Sequence, residues 1–589
     1  MIPLPLDRLA AIVGGELRDA APAPGSATPA ASNAAPPAPA SAVIVEAVAV
    51  DSRRLPRRSL FVALRGRQAD GHDFLGQAAA NGAVAALVSA DTPPAGLATI
   101  AVDSPLAALQ RLAAWYRRAH LGRVVAITGS NGKTIVKDAL YAQLLGTFST
   151  AASPGSFNSQ LGVPLAVLAA VPGTAVAVFE AGISAPGEMA ALREILAPDC
   201  GILTNVGLAH IAAFADRRHL AREKLSLFAA MTGSPATATA ATAATARSEL
   251  GWLLLPEDDA LVAEEAARLP CRLVGFPGDP SLPRLIGRRV VDEIGRPPGP
   301  PGPPGGSGAA FGGEELEVRF PSGSVRRLRV RTRSAEIVED VLLAVGAAHL
   351  LGVPEERIAE SLRDYVPPPT RLEVWRSPSG VVLVNDLVSA DPISVRAALR
   401  TTSELAAGAG RKVFVFGGMR ELGPGAAAEY AAIGALAGEY RFDALLLIDR
   451  EDGGGELAAT RGAYLAAHPG GQAAVLADVE AVRRRLRALL APGDTLLLKG
   501  PRHSGIAAAA VDLMEAMAPN RLLVDLGAVA GNIASYQRVC GPGTRILAMV
   551  KALAYGSELV RLSSWLSEAG IDHLGVSTAD EGVELRRAG

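Results

Sequence analysis

Cysteine is nearly absent. Cys200, Cys271 and Cys540 are the only three in 589 residues, and they stand far apart. That spacing excludes a disulfide framework and a thiolate metal knuckle, and it fits reduced thiols in a cytoplasmic protein. A dominant charge is also missing: 57 Lys and Arg face 59 Asp and Glu, for a formal charge of −2. No global basic field points to nucleic acid. The opening residues, Met1-Ile2-Pro3-Leu4-Pro5-Leu6-Asp7-Arg8, lack a basic stretch followed by an apolar one, so no signal peptide is expected. The uncharged run from Leu161 to Phe179 is cut by Pro164, Pro172 and Gly173. It reads as helix, turn and buried strand rather than as a membrane span.

What the chain does have is length and apolar content. At 49% hydrophobic it can bury a sizeable core, and its length suggests roughly four domains. The stretch that organises it is Val124-Val125-Ala126-Ile127-Thr128-Gly129-Ser130-Asn131-Gly132-Lys133-Thr134. A β-branched apolar run meets a Gly-rich turn, and Ile135 to Tyr141 continues as a helix. Backbone N–H groups of such a turn, with the helix N-terminus, make a concave site for polyphosphate. Lys133 can reach terminal phosphates and the Thr134 hydroxyl can ligate Mg²⁺. The bland alternative is a tight turn whose glycines serve geometry alone. The general phosphate loop carries a glycine five residues before Gly132, where Ile127 stands here.

The shorter loop Gly129-Ser130-Asn131-Gly132-Lys133-Thr134 resembles that of the Mur ligase family and of folylpolyglutamate synthetase. Further motifs follow in Mur ligase order. Asp51-Ser52-Arg53 and Asp70-Gly71-His72 resemble the UDP-binding elements of the family members that add D-alanyl-D-alanine, with Ser52, Arg53 and the 70–72 turn facing the UDP-sugar. By themselves these pieces read equally well as solvated loops. Ser156 to Pro164, which includes Asn158, resembles the loop facing the tripeptide substrate. Ala175 to Phe179 is a strand that ends in Glu180-Ala181-Gly182-Ile183-Ser184. A carboxylate there is placed to hold Mg²⁺, and Ser184 is expected to touch substrate.

The resemblance assigns more residues. His210, in the context Asn205-Val206-Gly207-Leu208-Ala209-His210, would be a second metal-binding group; a lone His is otherwise more often structural. Lys224 aligns with the lysine that the family carbamylates, and would bridge to Mg²⁺; without the resemblance it is an exposed helix lysine. Arg371 and Asp386 would contact the nucleotide where the C-terminal domain closes on ATP. Asp340 stands where the family carries an ATP-contacting Asn, and Ser389 and Asp391 replace two more. Asp cannot donate as an amide does, and it adds negative charge beside a polyphosphate. The expected ligand sets are therefore Gly129, Ser130, Asn131, Gly132, Lys133, Thr134, Asp340, Arg371 and Asp386 for ATP, and Thr134, Glu180, His210 and Lys224 for the metal. Lys133, Glu180, His210 and Lys224 form the expected catalytic group.

After residue 520 a new β/α pattern begins. Val550-Lys551-Ala552-Leu553-Ala554-Tyr555-Gly556 resembles the alanine racemase motif whose lysine carries pyridoxal phosphate (PLP). By that resemblance Lys551 would form the Schiff base and Tyr555 would bind the PLP phosphate. Some three strands of an eight-stranded barrel are expected before the chain stops at Gly589. Racemase activity is expected only if the chain continues beyond it.

The implied architecture is α/β. A UDP-substrate domain (1–115), a P-loop ATPase domain (116–365) and a Rossmann-like C-terminal ligase domain (366–516) precede an incomplete TIM-barrel segment (520–589). Low-complexity insertions are expected at 21–42, 233–247 and 295–313. The implied activity joins D-alanyl-D-alanine to a UDP-N-acetylmuramoyl-tripeptide through an acyl phosphate, using ATP and Mg²⁺. The alternatives are another Mur-type or folylpolyglutamate-type ligase, and a catalytically weakened scaffold protein.

Overall fold

The computed structural model describes the chain except for residues 21–39, 67–68, 94–95, 232–250, 292–312, 364, 369, 377–379, 407–409, 449–453, 502–503, 507–523, 542, 552–553, 555–558 and 588–589. The insertion at 233–247 and Tyr555 lie outside the described residues, as does most of the other two insertions.

The first domain is a five-stranded sheet. Its strands are Glu16–Arg18 (β1), Ala47–Ala49 (β2), Ser59–Val62 (β3), Ala83–Ser89 (β4) and Ala98–Val102 (β5), in the order β1-β5-β4-β3-β2. All but β1 run parallel. Helix α1, Pro105–His120, leads out of it. Ser104 caps the helix by accepting from Ala107 N, and Pro105 occupies its first turn. Nothing in Leu106 to Arg118 breaks a helix, so α1 runs through the boundary expected at 115/116. Residues from both of its sides take part in one core with the first two domains.

The second domain holds the Gly-rich turn. Its strands are Leu121–Thr128 (β6), Thr150–Ala152 (β7), Thr174–Glu180 (β8), Cys200–Leu203 (β9), Trp252–Pro256 (β10) and Arg272–Phe276 (β11), ordered β11-β10-β9-β6-β8-β7 and all parallel. Helix α2 is Lys133–Leu144, α3 is Gly162–Ala169, α4 is Glu188–Leu196 and α5 is Arg217–Leu225. The run from Leu161 to Phe179 is therefore a helix, a turn and a strand, as its prolines predict. Side chains of β6 alternate in burial. Val124 and Ala126 enter the core shared with α1. Val125 and Ile127 enter the core under α2 and helix α6, Ala335–Leu350. A three-stranded antiparallel sheet, Arg284–Val291 (β12), Gly313–Arg319 (β13) and Val325–Val330 (β14), packs on that second core. Gly313 is thus the first residue of a strand rather than the end of an insertion.

The third domain repeats the theme. Strands Glu373–Arg376 (β15), Val382–Asp386 (β16), Lys412–Phe416 (β17), Ala444–Ile448 (β18), Gln472–Leu476 (β19) and Thr495–Lys499 (β20) order as β15-β16-β20-β17-β18-β19, with only β15 antiparallel. Helix α7, Pro392–Leu405, starts with a capping box on Asp391. The final segment contains helices Leu526–Cys540, Leu559–Glu568 and Ala579–Arg587 with two short parallel strands, Leu547–Met549 and His573–Gly575. Two strands, not three, are seen among its described residues. Residues 520–523, where the new β/α pattern was expected to begin, lie outside them.

A buried phenol joins α1 to the second domain. Tyr116 is 0% exposed, and its O–H donates to Ala170 O at 2.8 Å. Tyr116→Phe strands that carbonyl without a donor. It should lower stability by about 1–3 kcal/mol, read as a lower denaturant midpoint.

Candidate active site

The Gly-rich turn joins β6 to α2 at the point where strand order reverses, because β6 lies between β8 and β9. Crevices at such points, beyond the carboxyl ends of the strands, are where open α/β sheets bind ligands. Gly129 (φ 145°) and Gly132 (φ 81°) take backbone conformations that side chains rarely adopt. Both are crowded as well. A Cβ on Gly129 would lie 2.0 Å from Thr204 Oγ1, and one on Gly132 would lie 2.2 Å from Asp340 Oδ1.

The end of β9 braces the turn. Ser130 N donates to Asn205 O (2.9 Å) and Asn131 N to Asn205 Oδ1 (3.1 Å). Gly207 N donates to Ser130 Oγ (2.9 Å), and the Thr204 hydroxyl donates to Asn131 O. These contacts fix the peptide planes that would face a polyphosphate. Lys133 Nζ donates to Gly129 O (2.7 Å) and Ser130 O (3.0 Å). Burial lowers its pKa, and Glu180 opposes that shift.

Register places the acid. Glu180 of β8 pairs with Ile127 of β6, so its side chain emerges beside the turn. It is 0% exposed. Its Oε2 accepts from Thr134 Oγ1 (3.2 Å) and Asn158 Nδ2 (3.4 Å). Its Oε1 has no hydrogen-bond donor and lies 3.5 Å from Lys137 Nζ. Arg371 reaches in from the third domain: its Nη2 donates to Thr134 Oγ1 (2.9 Å) and Ser156 Oγ (3.4 Å). Neighbours Thr370 (φ 60°) and Leu372 (φ 50°) are both left-handed. That is a conformation maintained only where surrounding structure enforces it.

Lys224 is buried, and Nζ donates to Gly129 O at 3.2 Å. Burial, with the Lys133 charge behind it, drives its pKa well below the ordinary lysine value. His210 goes elsewhere. At φ 62° its ring meets the Glu421 carboxylate of the third domain, and Ala212 N donates to Glu421 O (2.9 Å). Glu180 and Thr134 therefore stand together beside Lys133, while the described contacts of His210 form a bridge between domains. Among the described residues no group of three or more His, Cys, Asp or Glu gathers around one point. Mg²⁺ needs no such cage, because it keeps several waters and takes one or two protein oxygens. Glu180 is buried with one oxygen lacking a donor and the other beside the Thr134 hydroxyl, a donor set that fits that demand.

A cavity of about 590 Å³ opens from the turn, lined by Asn131, Gly132, Ile135, Phe276, Leu343, Asp340, Arg371, Asp386 and Ser389 among others. Desolvation, reinforced by Glu339, pushes Asp340 up to about 8. That shift favours the protonated carboxyl, which carries an O–H as the expected amide carries N–H. Asp386 forms a buried ion pair with Lys499 (2.6 Å), and desolvation raises its pKa against that pull. Asp391 caps α7 and accepts from Asn131 Nδ2 at 3.0 Å.

The first domain's assigned residues are engaged locally. Ser52 Oγ donates to Gln77 Oε1 (2.7 Å), and exposed Arg53 pairs with Asp51 (2.8 Å). His72 bonds Asp70 (2.5 Å) and accepts from Ser89 N (3.0 Å). Ser184 binds Glu188 at the start of α4 through its amide (2.7 Å). Lys137 joins the site without having been singled out, and Ser156 joins it from the loop expected to face the tripeptide. Lys137 lies one helical turn beyond Lys133, which is the only local signal it offers.

Asp340 gives a test in pH. Above about 8 it ionises and adds a charge beside the phosphate turn. ATP affinity should fall as pH rises from 7 to 9 in the unmodified protein, and Asp340→Asn should flatten that fall. Calorimetric titration of ADP across the range checks both.

Comparison with known proteins agrees with this geometry. Residues 44–117 match the Mur ligase family catalytic domain, 127–247 the Mur ligase middle domain and 370–502 the Mur ligase glutamate ligase domain. Residues 524–589 match the alanine racemase N-terminal domain. A UDP-N-acetylmuramoyl-tripeptide–D-alanyl-D-alanine ligase from Mycobacterium leprae is 30% identical over 558 residues, covering 87% of this chain and 98% of its own. The ligase of the same name from Bacillus subtilis is 30% identical over 383 residues, covering 64% and 75%. A crystal structure of MurF from Acinetobacter baumannii shares the fold, with a TM-score of 0.67 at 23% identity over 87% of this chain and 99% of that one. Three successive domain matches, and a relative aligned almost from end to end, show that the chain belongs to the Mur ligase family.

Proposed function

We propose that this protein is an ATP-dependent carboxylate–amine ligase that joins D-alanyl-D-alanine to UDP-N-acetylmuramoyl-tripeptide in peptidoglycan synthesis. The observation that carries the reading is one constellation: a glycine turn ending in Lys133 and Thr134, the buried Glu180 beside it, and Arg371 reaching across from the third domain. The names of the relatives supply the substrates. No helix among the described residues is long and apolar enough to cross a membrane. The cytoplasm, which supplies ATP and keeps thiols reduced, is the proposed location.

The substrate carboxylate attacks the γ-phosphorus, an O–P bond forms, and the bond to the ADP oxygen breaks. The amine of the dipeptide then attacks the acyl carbon. A C–N bond forms, the C–O bond to phosphate breaks, and phosphate departs while the nitrogen loses its proton. The turn amides hold the phosphates in line. Lys133, once moved from the Gly129 and Ser130 carbonyls, sets its charge against the transferring group. Arg371 adds a second cation and ties domain closure to nucleotide binding. Thr134 and Glu180 would hold Mg²⁺, which when bound would supply further charge neutralisation on the phosphates.

Lys224, desolvated and beside another ammonium, is held towards its neutral amine, the form that reacts with carbon dioxide. A carbamate there would place an anion beside Lys133 in place of a desolvated amine. His210 is assigned to domain closure through Glu421 in this reading, and a metal role would need that bridge to open.

The racemase-like segment does not fit PLP in the same way. Lys551 is exposed, and most of the motif around it lies outside the described residues. No PLP chemistry is derived for it.

Phosphate release should require ATP, UDP-muramoyl-tripeptide and D-alanyl-D-alanine together. Release that ignores the dipeptide would overturn the reading. Lys133→Met and Glu180→Gln should each lower kcat by about 100-fold or more in that assay. Activity of Lys224→Arg, which cannot form a carbamate, should be lost to a similar extent and be unmoved by bicarbonate.

A further inference from the structure

Lys137 has no part in the steps above, yet it is more deeply buried than most lysines ever are. It sits on α2, one turn beyond Lys133, with a side chain 2% exposed. Its Nζ donates to Ser153 O (2.8 Å) and Gly155 O (2.6 Å). It also lies 2.9 Å from Asp138 Oδ1 and 3.5 Å from Glu180 Oε1. Two of its three protons are committed to the backbone of the segment after β7, and the remaining charge faces two carboxylates.

That arrangement divides Glu180 in two. Oε1 faces the ammonium, and Oε2 faces Thr134 and Asn158. A fully buried carboxylate needs a counter-charge, and Lys137 provides one without using the oxygen that faces the turn. The same ammonium holds the segment 153–158. That segment carries Ser156, which contacts Thr134 (3.3 Å) and Arg371 (3.4 Å), and Asn158, which contacts Glu180. Ser153 closes the circuit, because its Oγ accepts from Glu180 N at 3.2 Å.

We propose that Lys137 is a positioning residue: it holds Glu180 and the 153–158 segment in one register, so that metal–nucleotide binding and seating of the substrate carboxylate depend on each other. The proposal rests on the ligase reading for the identity of that carboxylate substrate, but not for the metal–nucleotide half.

Three proteins test it: Lys137→Met, Glu180→Gln and the double variant Lys137→Met/Glu180→Gln. Calorimetry gives the Mg²⁺ concentration that half-saturates ADP binding. In Lys137→Met it should rise about tenfold, the usual effect of removing a group that orients a metal ligand. Steady-state kinetics should show KM for UDP-muramoyl-tripeptide rising by about as much while KM for D-alanyl-D-alanine stays unchanged. A role confined to stability would lower the melting temperature and leave both concentrations where they were, which overturns the proposal.

If Lys137→Met alone does not fold, the double variant, which buries no unpaired charge, takes its place. It is compared with Glu180→Gln for direct binding of UDP-muramoyl-tripeptide. About tenfold weaker binding in the double variant supports the proposal, and equal binding overturns it. Should the unmodified protein fail to bind UDP-muramoyl-tripeptide at all, the ligase reading fails, and the Mg²⁺·ADP titration still decides the part of Lys137.

Discussion

A buried carboxylate next to an anion-binding turn is an electrostatic conflict, and its resolution organises this molecule. Glu180 has no solvent to stabilise its charge. Thr134, Asn158 and Lys137 surround it instead. Thr134 and Lys137 come from α2 and Asn158 from the segment before α3, so the acid can be satisfied only when α2, β8 and that segment are all in place. The phosphate site is thereby completed by the same contacts that complete the second domain's core.

Sheet topology makes this inexpensive to arrange. With β6 between β8 and β9, the residues following three parallel strands converge at one edge. β8 delivers Glu180, β9 delivers Thr204 and Asn205, and β6 delivers the turn. The third domain needs only one long side chain to join them, and Arg371 provides it from a short left-handed turn.

The parts legible in sequence were those whose signal is local. A β-branched run, two glycines and Lys-Thr are contiguous, and strand, turn and helix appear where that pattern predicts. Glu180 was legible because an apolar strand ends on it. His210 was misleading for the opposite reason: its surroundings in sequence point to the turn, but its left-handed backbone turns the ring towards Glu421, 211 residues away. Lys137 was illegible because a lysine on a helix ordinarily reads as solvated, and only packing of the 153–155 backbone over it says otherwise. Ser52, expected to face substrate, gives its hydroxyl proton to Gln77, a partner that no local pattern announces. The sequence gives no sign that desolvation and the nearby Glu339 raise the pKa of Asp340.

One side chain in the third domain has two duties. Asp391 accepts from Ile393 N and Ser394 N to begin α7, and with the same oxygen from Asn131 of the phosphate turn. The turn is thus stitched to the first residues of a helix in another domain. A motion that separates the two domains must break a bond to the turn itself, so the shape of the turn and the seating of the third domain are coupled through one carboxylate oxygen.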